Sequence, residues 1–460
     1  MRAGGLLVLL CLVLSVAPAA TADGTPAAPS WLPHAADATW TYQFTDSVYN
    51  TAGTTEHVSV VKASGSDFTL GWTIDGGPNA NGCQYGTTFN GWVAFSETNG
   101  GIFNGADGWC GNPPPAQFPI LCATSAGCPN VLSSTLYNLI WGSRTPILAE
   151  PVLRGSTWSA TGGAQGDVAS ANDYVGTEQI TVPAFPQPVT AAKVRSQITQ
   201  AGALGDPYGS GVRTVWWVYG VGPVKVELDH SGGAVTTAVL QSTNQTPQAP
   251  PNDANYFPLT LGLKGTFSWT NSKYMKNKPE IESYSIDQVA NGSAQVSVTS
   301  VSGPIKVLKS LYAFTSRLDG VTNLLGATQA QSLAKAPALG PRSLPLNERR
   351  HFFTPFDLMT YGFNPVIPAY PAAGNTWSGA TSGRDYQLYG VTGTTTVLGV
   401  QTVKVPAGTF KALAVRSVLK QQGFPFGSGT RTSWFAPGRG LVKLVFKHGD
   451  GSVSTVQLIH

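Results

Sequence analysis

The chain contains one unit twice. With an offset of 218, residues 208–240 lie over residues 426–458 and 15 of those 33 positions are identical, among them Gly209/Gly427, Arg213/Arg431, Trp216/Trp434, Lys225/Lys443 and His230/His448. Upstream, Val194-Arg195-Ser196 matches Val415-Arg416-Ser417, Val182-Pro183-Ala184 matches Val405-Pro406-Ala407, and Gly155-Ser156-Thr157-Trp158 matches Gly374-Asn375-Thr376-Trp377. At the start of each unit, Trp31-Leu32-Pro33 resembles Tyr256-Phe257-Pro258, and Trp40-Thr41-Tyr42 resembles Phe267-Ser268-Trp269. A period near 220 residues is far longer than a solenoid repeat, so each copy is a whole domain that must close its own core. Residues 241–255, QSTNQTPQAPPNDAN, have no apolar period and contain three prolines, as an exposed linker would. The expected division is residues 1–22 as a leader, 23–240 as copy 1, 241–255 as linker and 256–460 as copy 2.

Each copy reads as β-structure. Val224, Val226 and Leu228 alternate with Lys225 and Glu227, which buries one face of a strand and solvates the other. Val442, Leu444 and Phe446 repeat that face, while Leu441 and Val445 around Lys443 predict that the opposite face is partly covered in copy 2. Asn291-Gly292 and His448-Gly449-Asp450-Gly451 are hairpin signals, and 53 Gly with 33 Pro over 460 residues supply many turns. The expected fold is mainly β: two tandem copies of a curved antiparallel sheet, half-barrel or barrel-like, with few short helices. The copies diverge in their middle segments, where residues 324–345, rich in Ala, Leu and Gln, read as a short helix followed by a loop.

The first residues read as an export signal. Arg2 starts it, residues 6–16 are apolar but too short to span a bilayer, and Ala20-Thr21-Ala22 predicts cleavage before Asp23. Cys11 follows the bulky Leu10 in mid-run, which argues against lipidation. No later stretch approaches 18 apolar residues, so no integral membrane span is expected in the mature chain. A secreted or extracytoplasmic chain meets an oxidising compartment, and Cys83, Cys110, Cys122 and Cys128 fall within 46 loop-like residues. Two disulfides are expected, with all three connectivities open. A zinc knuckle fits poorly, because five residues separate Cys122 from Cys128 and none is His. Only 11% of residues are charged and the net charge is +4, too sparse a cationic footprint for nucleic acid.

Catalytic signatures are absent from the sequence: no nucleophile elbow, no His-Glu-x-x-His, no phosphate loop and no dinucleotide fingerprint. Neither a cofactor nor a metal is implied. His230 and His448 precede Gly-rich turns and read as solvated turn residues. Acidic pairs such as those a glycosidase needs do not recur between the copies, although a site confined to one copy stays open. The duplicated cations Arg195/Arg416, Arg213/Arg431 and Lys225/Lys443 fall on neighbouring strands and could meet an anionic group, Arg213 and Arg431 being the best single candidates. Trp40, Trp72 and Trp269 are candidates to line a pocket. Trp158/Trp377 and Trp216/Trp434 read as core, and Trp92, Trp109 and Trp141 as facing a partner.

Tyr256-Phe257-Pro258-Leu259, the hairpin Val403-Lys404-Val405-Pro406-Ala407-Gly408-Thr409-Phe410, and the segment Trp434-Phe435-Ala436-Pro437-Gly438-Arg439-Gly440-Leu441-Val442-Lys443 resemble the TapB-like family of bacterial exported proteins, in turn similar to the LolA and LolB lipoprotein carriers. The match is weaker in copy 1, where Tyr219 replaces the proline. The resemblance implies a curved sheet whose concave side holds a hydrophobic molecule. The expected function is therefore an exported, non-enzymatic protein binding an apolar or amphipathic ligand, such as a lipid, in a concave sheet. The alternatives are a cell-envelope interaction protein acting through the loops of copy 1, or a secreted hydrolase acting on glycan.

Overall fold

A computed structural model describes residues 30–75, 89–109, 118–119, 131–142, 146–162, 168–200, 207–275, 278–290, 292–330, 354–381, 390–421 and 424–460. The expected export leader and the four cysteines Cys83, Cys110, Cys122 and Cys128 lie outside the described residues.

Copy 1 forms a 12-stranded antiparallel sheet. Its first half is β1 (Thr39–Asp46), β2 (Asn50–Ser64), β3 (Asp67–Ile74), β4 (Gly91–Thr98), β5 (Gly101–Trp109) and β6 (Leu148–Ala149). Its second half is β7 (Thr157–Gly162), β8 (Val168–Ile180), β9 (Val189–Gln200), β10 (Gly211–Val218), β11 (Gly222–His230) and β12 (Val235–Thr243). Each half is a meander, and β1 pairs with β12 to join them, leaving β6 and β7 as the edges. Copy 2 repeats this with 11 strands. They are β13 (Lys264–Asn271), β14 (Glu280–Ala290), β15 (Ser293–Ser302), β16 (Val307–Arg317) and β17 (Gly320–Ala330), then β18 (Thr376–Thr381), β19 (Val391–Val405), β20 (Gly408–Gln421), β21 (Gly429–Ala436), β22 (Gly440–His448) and β23 (Val453–Leu458). The first strand β13 again pairs with the last, β23. Residues 324–330 lie in β17, so a helix starting at Leu324 is corrected: the β-branched start of the strand at Val321 and Thr322 pairs with β16 and carries the ladder on, while residues 331–345 lie outside the described residues.

The ladders also correct the alignment at the start of the copies. Tyr42 faces Leu240 and Asp46 faces Thr236, while Phe267 faces Leu458 and Asn271 faces Ser454. Because Leu240/Leu458 and Thr236/Ser454 are equivalent at the 218 offset, the true matches are Tyr42/Phe267, Phe44/Trp269 and Asp46/Asn271. Sequence comparison slipped by two residues, the one error that leaves every side chain on its correct face.

The middle segments share one element. A short helix, α1 (Thr135–Ile140), is capped by Ser134, and α2 (Pro355–Thr360) is capped by Thr354, at an offset of 220. The Thr354 hydroxyl accepts from the amides of Phe356 (3.1 Å) and Asp357 (3.2 Å), and Asp357 returns a bond to the Thr354 amide at 3.0 Å, a capping box. Both helices stop just before a glycine of positive φ, Gly142 at 70° and Gly362 at 113°. Every residue of α1 and four of the six in α2 are buried. Helices this short and this deeply buried act as plugs within the fold. Each packs in one core with the inward residues of its own sheet: Tyr137 of α1 meets Trp72 edge-on at 5.1 Å, and Phe356 of α2 meets Tyr312, Tyr284 and Phe267.

Candidate functional site

The duplicated arginine holds the plug. On β10, Arg213 shares the inward face with Val215 and Trp217 and is 1% exposed. Its Nη1 lies 2.8, 2.8 and 2.7 Å from the carbonyl oxygens of Asn138, Leu139 and Trp141, and Nη2 donates to the Ser196 hydroxyl at 3.4 Å. Arg431, 7% exposed, donates to the carbonyls of Leu358 (2.8 Å) and Tyr361 (2.6 Å) and to Ser417 (3.2 Å). The last carbonyls of a helix have no intrahelical partner, and the negative end of its dipole favours a cation, so this is an internal helix cap. Burial pulls the Arg213 pKa down to about 9, which keeps the side chain charged at neutral pH. The expectation that Arg213 and Arg431 orient a ligand on an open concave face is thereby corrected: that face is occupied by the helix they bind.

The other sequence candidates separate. Arg195 and Arg416 are exposed on the opposite face of β9 and β20 and do not meet Arg213 or Arg431. Lys225 lies 4.6 Å over the Trp216 ring and Lys443 lies 5.5 Å over Trp434, two duplicated cation–π contacts on the outer face. Trp40 is buried with its indole donating to the Val221 carbonyl at 2.7 Å, and Trp72 and Trp269 are fully buried core residues rather than pocket walls. Trp141 belongs to the plug of copy 1 and donates to the Gly209 carbonyl at 2.8 Å, so it faces inward rather than a partner. Trp158 and Trp377 each donate to a proline carbonyl beside the sheet edges, Pro146 at 3.0 Å and Pro365 at 3.2 Å.

His230 and His448 are buried, not solvated. Each ends a strand whose alternate residues point inward, and each Nδ1 donates to the carbonyl that starts the preceding strand segment, Tyr208 or Phe426. His230 Nε2 lies 2.7 Å from Thr236 Oγ1, which donates to Asp46 at 2.8 Å; Tyr208 also donates to Asp46, at 2.9 Å. In copy 2 Phe426 has no hydroxyl, and Asn271 stands where Asp46 does, its amide donating to Ser454 at 3.0 Å. The hydroxyl stands between the imidazole and the acid, an order that positions strands and offers no activated nucleophile. Burial alone would raise the Asp46 pKa, yet the amides of Tyr49 and Val48 and the hydroxyls of Thr236 and Tyr208 hold it below the usual range. A depressed carboxyl contributes stability above its unfolded pKa and loses it as pH falls through the folded one. Asp46→Asn is expected to cost about 1–2 kcal/mol at pH 7, with the difference from the parent fading below about pH 4; urea titrations at several pH values check it, and a penalty independent of pH contradicts it.

Open space is found where the two sheets and the linker meet. Tyr370 of copy 2 accepts a hydrogen bond from the Val152 amide at 2.8 Å, and the Leu318 amide donates to the Asn99 carbonyl at 2.9 Å. Arg154 pairs with Asp253 of the linker at 3.0 Å. Beside these contacts lies a cleft of about 1120 Å³ whose walls include Trp31, His34, Glu97, Glu150, Tyr219 and Tyr370, closed on one side by linker residues between 244 and 251. Glu150 also lines a second cavity, of about 480 Å³. Trp31 meets Tyr219 edge-on at 5.1 Å and hydrogen-bonds Tyr370. His34 stacks on Phe68 at 4.3 Å with its Nδ1 3.6 Å from Glu97. Glu150 is 6% exposed, and its Oε2 has no hydrogen-bond partner among the described residues. Burial and then the charge of Glu97 push the Glu150 carboxyl up to about 8, and burial raises Glu97 against the pull of His34. Among the described residues, the cleft lining contains no Lys or Arg.

Sequence reasoning missed this cleft because its wall of copy 1 residues is completed only by the linker and by Leu318 and Tyr370 of copy 2. The only signals were departures from the repeat: Tyr219, where copy 2 has Pro437, and Trp31, where it has Tyr256. Among the described residues no group of three His, Cys, Asp or Glu is placed to hold a metal ion, and no helix is long and apolar enough to cross a membrane.

No family model, TapB-like or other, matches the chain, and no curated protein matches it. Among solved structures, a Bacteroides fragilis protein described as exported, with a YmcC-like fold, is 14% identical, with 45% of this chain and 98% of the other covered at a TM-score of 0.24. A Parabacteroides distasonis protein described as a lipoprotein is 16% identical, with 47% and 99% covered at a TM-score of 0.25. Similarity at that level says nothing about what this chain binds.

Proposed function

We propose that this chain acts outside the cytoplasm as a non-enzymatic binding protein, and that its ligand, one amphipathic small molecule, sits in the cleft between the two sheets instead of in a concave face. The observation that carries this is the reversal of open and filled space: both concave faces are plugged by α1 and α2, while the junction holds about 1120 Å³ walled by Trp31, Tyr219 and Tyr370. Burying about 300 Å² of apolar ligand surface there contributes about 7 kcal/mol before ordering costs. The export leader supports the compartment, and a cell-envelope component is the natural source of such a ligand. The sparse charge argues against nucleic acid as a partner.

Titration of tryptophan fluorescence with octyl glucoside below its micellar concentration, a neutral amphiphile, tests the site. Ser66 stands exposed on the cleft wall. Ser66→Trp is expected to weaken binding at least tenfold, and Arg195→Met, on the outer face of copy 1, to leave it within twofold. Binding indifferent to Ser66→Trp, or no binding, overturns the reading.

A further inference from the structure

We propose that the cleft selects a ligand bearing an ammonium group, held between the carboxyl of Glu150 and the rings of Tyr219, Tyr370 and Trp31. This rests on the cleft reading above and names the chemistry of its ligand. Four observations converge on it. Two carboxyl groups, Glu97 and Glu150, face one cleft whose described lining offers no Lys or Arg to balance them. His34, the one basic side chain in the described lining, lies beside Glu97 at 3.6 Å and not beside Glu150. Glu150 keeps a buried oxygen without a hydrogen-bond partner among the described residues, a state that costs free energy until a donor arrives. Lastly, three aromatic rings stand around the same space, and ring faces attract cations most strongly where water is excluded.

Other ligand chemistries fit less well. An anionic headgroup would meet two acids, with His34 already beside one of them and no Lys or Arg in the described lining. A neutral polyol could hydrogen-bond Glu150 but would bring no charge to favour its ionised form. An ammonium ion supplies the missing charge, and its arrival favours the ionised form of Glu150. Since burial holds that carboxyl up to about 8 in the empty protein, binding at neutral pH should expel a proton to solvent.

The test is calorimetric titration of the full chain at pH 7 with octyltrimethylammonium, octylamine and octyl glucoside, each below its micellar concentration and in two buffers of different ionisation enthalpy. The expected result is at least tenfold tighter binding of an ammonium probe than of octyl glucoside, with up to one proton released per ligand. Preference for the quaternary probe assigns the gain mainly to the rings, and preference for octylamine assigns it mainly to hydrogen bonding at Glu150; either supports the proposal. Glu150→Gln keeps the side-chain shape and is expected to abolish both the gain and the proton release, while Arg195→Met, on the outer face and away from the cleft, keeps both. Equal affinities for charged and neutral probes, or a gain surviving Glu150→Gln, overturn the ammonium assignment and leave the cleft reading standing. Binding of none of the probes removes both.

Discussion

Arg213→Met is expected to destabilise the protein by about 3–5 kcal/mol, seen as a lower urea midpoint at unchanged slope, whereas Arg195→Met stays within about 0.5 kcal/mol. The two arginines are equally duplicated and sit on adjacent strands, and only the face they occupy separates them. Removing the Arg213 guanidinium takes this donor from the buried carbonyls of Asn138, Leu139 and Trp141. Bonds from a charged donor contribute about 1.5–3 kcal/mol each, and orphaned buried carbonyls cost comparably. Methionine fills the apolar volume of the stem, so the loss reports on hydrogen bonding and charge more than on a cavity. Arg213→Lys should fall between, because a single ammonium can reach some of those carbonyls but cannot also span to Ser196. Near-equal effects at Arg213 and Arg195 would mean that α1 does not depend on its arginine.

That contrast shows how much was legible beforehand. The parity was in the sequence: Arg213 shares its register with Val215 and Trp217, and His230 with Val224, Val226 and Leu228, so both point to the apolar face. Reading duplication as a sign of ligand contact, and turn proximity as a sign of solvation, outweighed that parity. The sheets themselves follow from alternation and turn chemistry, which are local. The plug helices were hidden because six residues are too few for a helical period to emerge; their markers are the hydroxyl caps Ser134 and Thr354 and the terminating Gly142 and Gly362, at an offset two residues away from that of the strands. The cleft needed the packing of one copy against the other and against the linker, which no comparison of the copies with each other can contain.

The interior also holds an acid that the plug does not need. Glu282 on β14 faces Phe267, as Glu56 on β2 faces Tyr42, so the two occupy equivalent places beside their helices. Glu56 accepts from the Thr135 amide at 2.9 Å, at the start of α1, and burial lifts it to about 7. In copy 2 the helix start is served instead by Thr354 and Asp357, and neither oxygen of Glu282 has a hydrogen-bond partner among the described residues. Burial, then the charges of Glu280 and Asp357, hold the Glu282 carboxyl well above its ordinary value. An acid whose folded pKa is raised costs nothing below its unfolded pKa, and stability is lost as pH rises towards the folded one, because unfolding then releases a proton. Glu282→Met is therefore expected to stabilise the protein by about 2–3 kcal/mol at pH 8, since it removes an uncompensated buried polar group while keeping the volume filled. The gain should shrink steadily as pH falls towards 4, where the parent carboxyl is neutral in both states. Glu56→Met should do the reverse and destabilise, because it takes the acceptor from the Thr135 amide. Thermal unfolding of both variants across pH 4 to 8 decides the matter: a Glu282→Met gain that does not grow with pH, or a loss at pH 8, would show that Glu282 is a working part of the second sheet's interior.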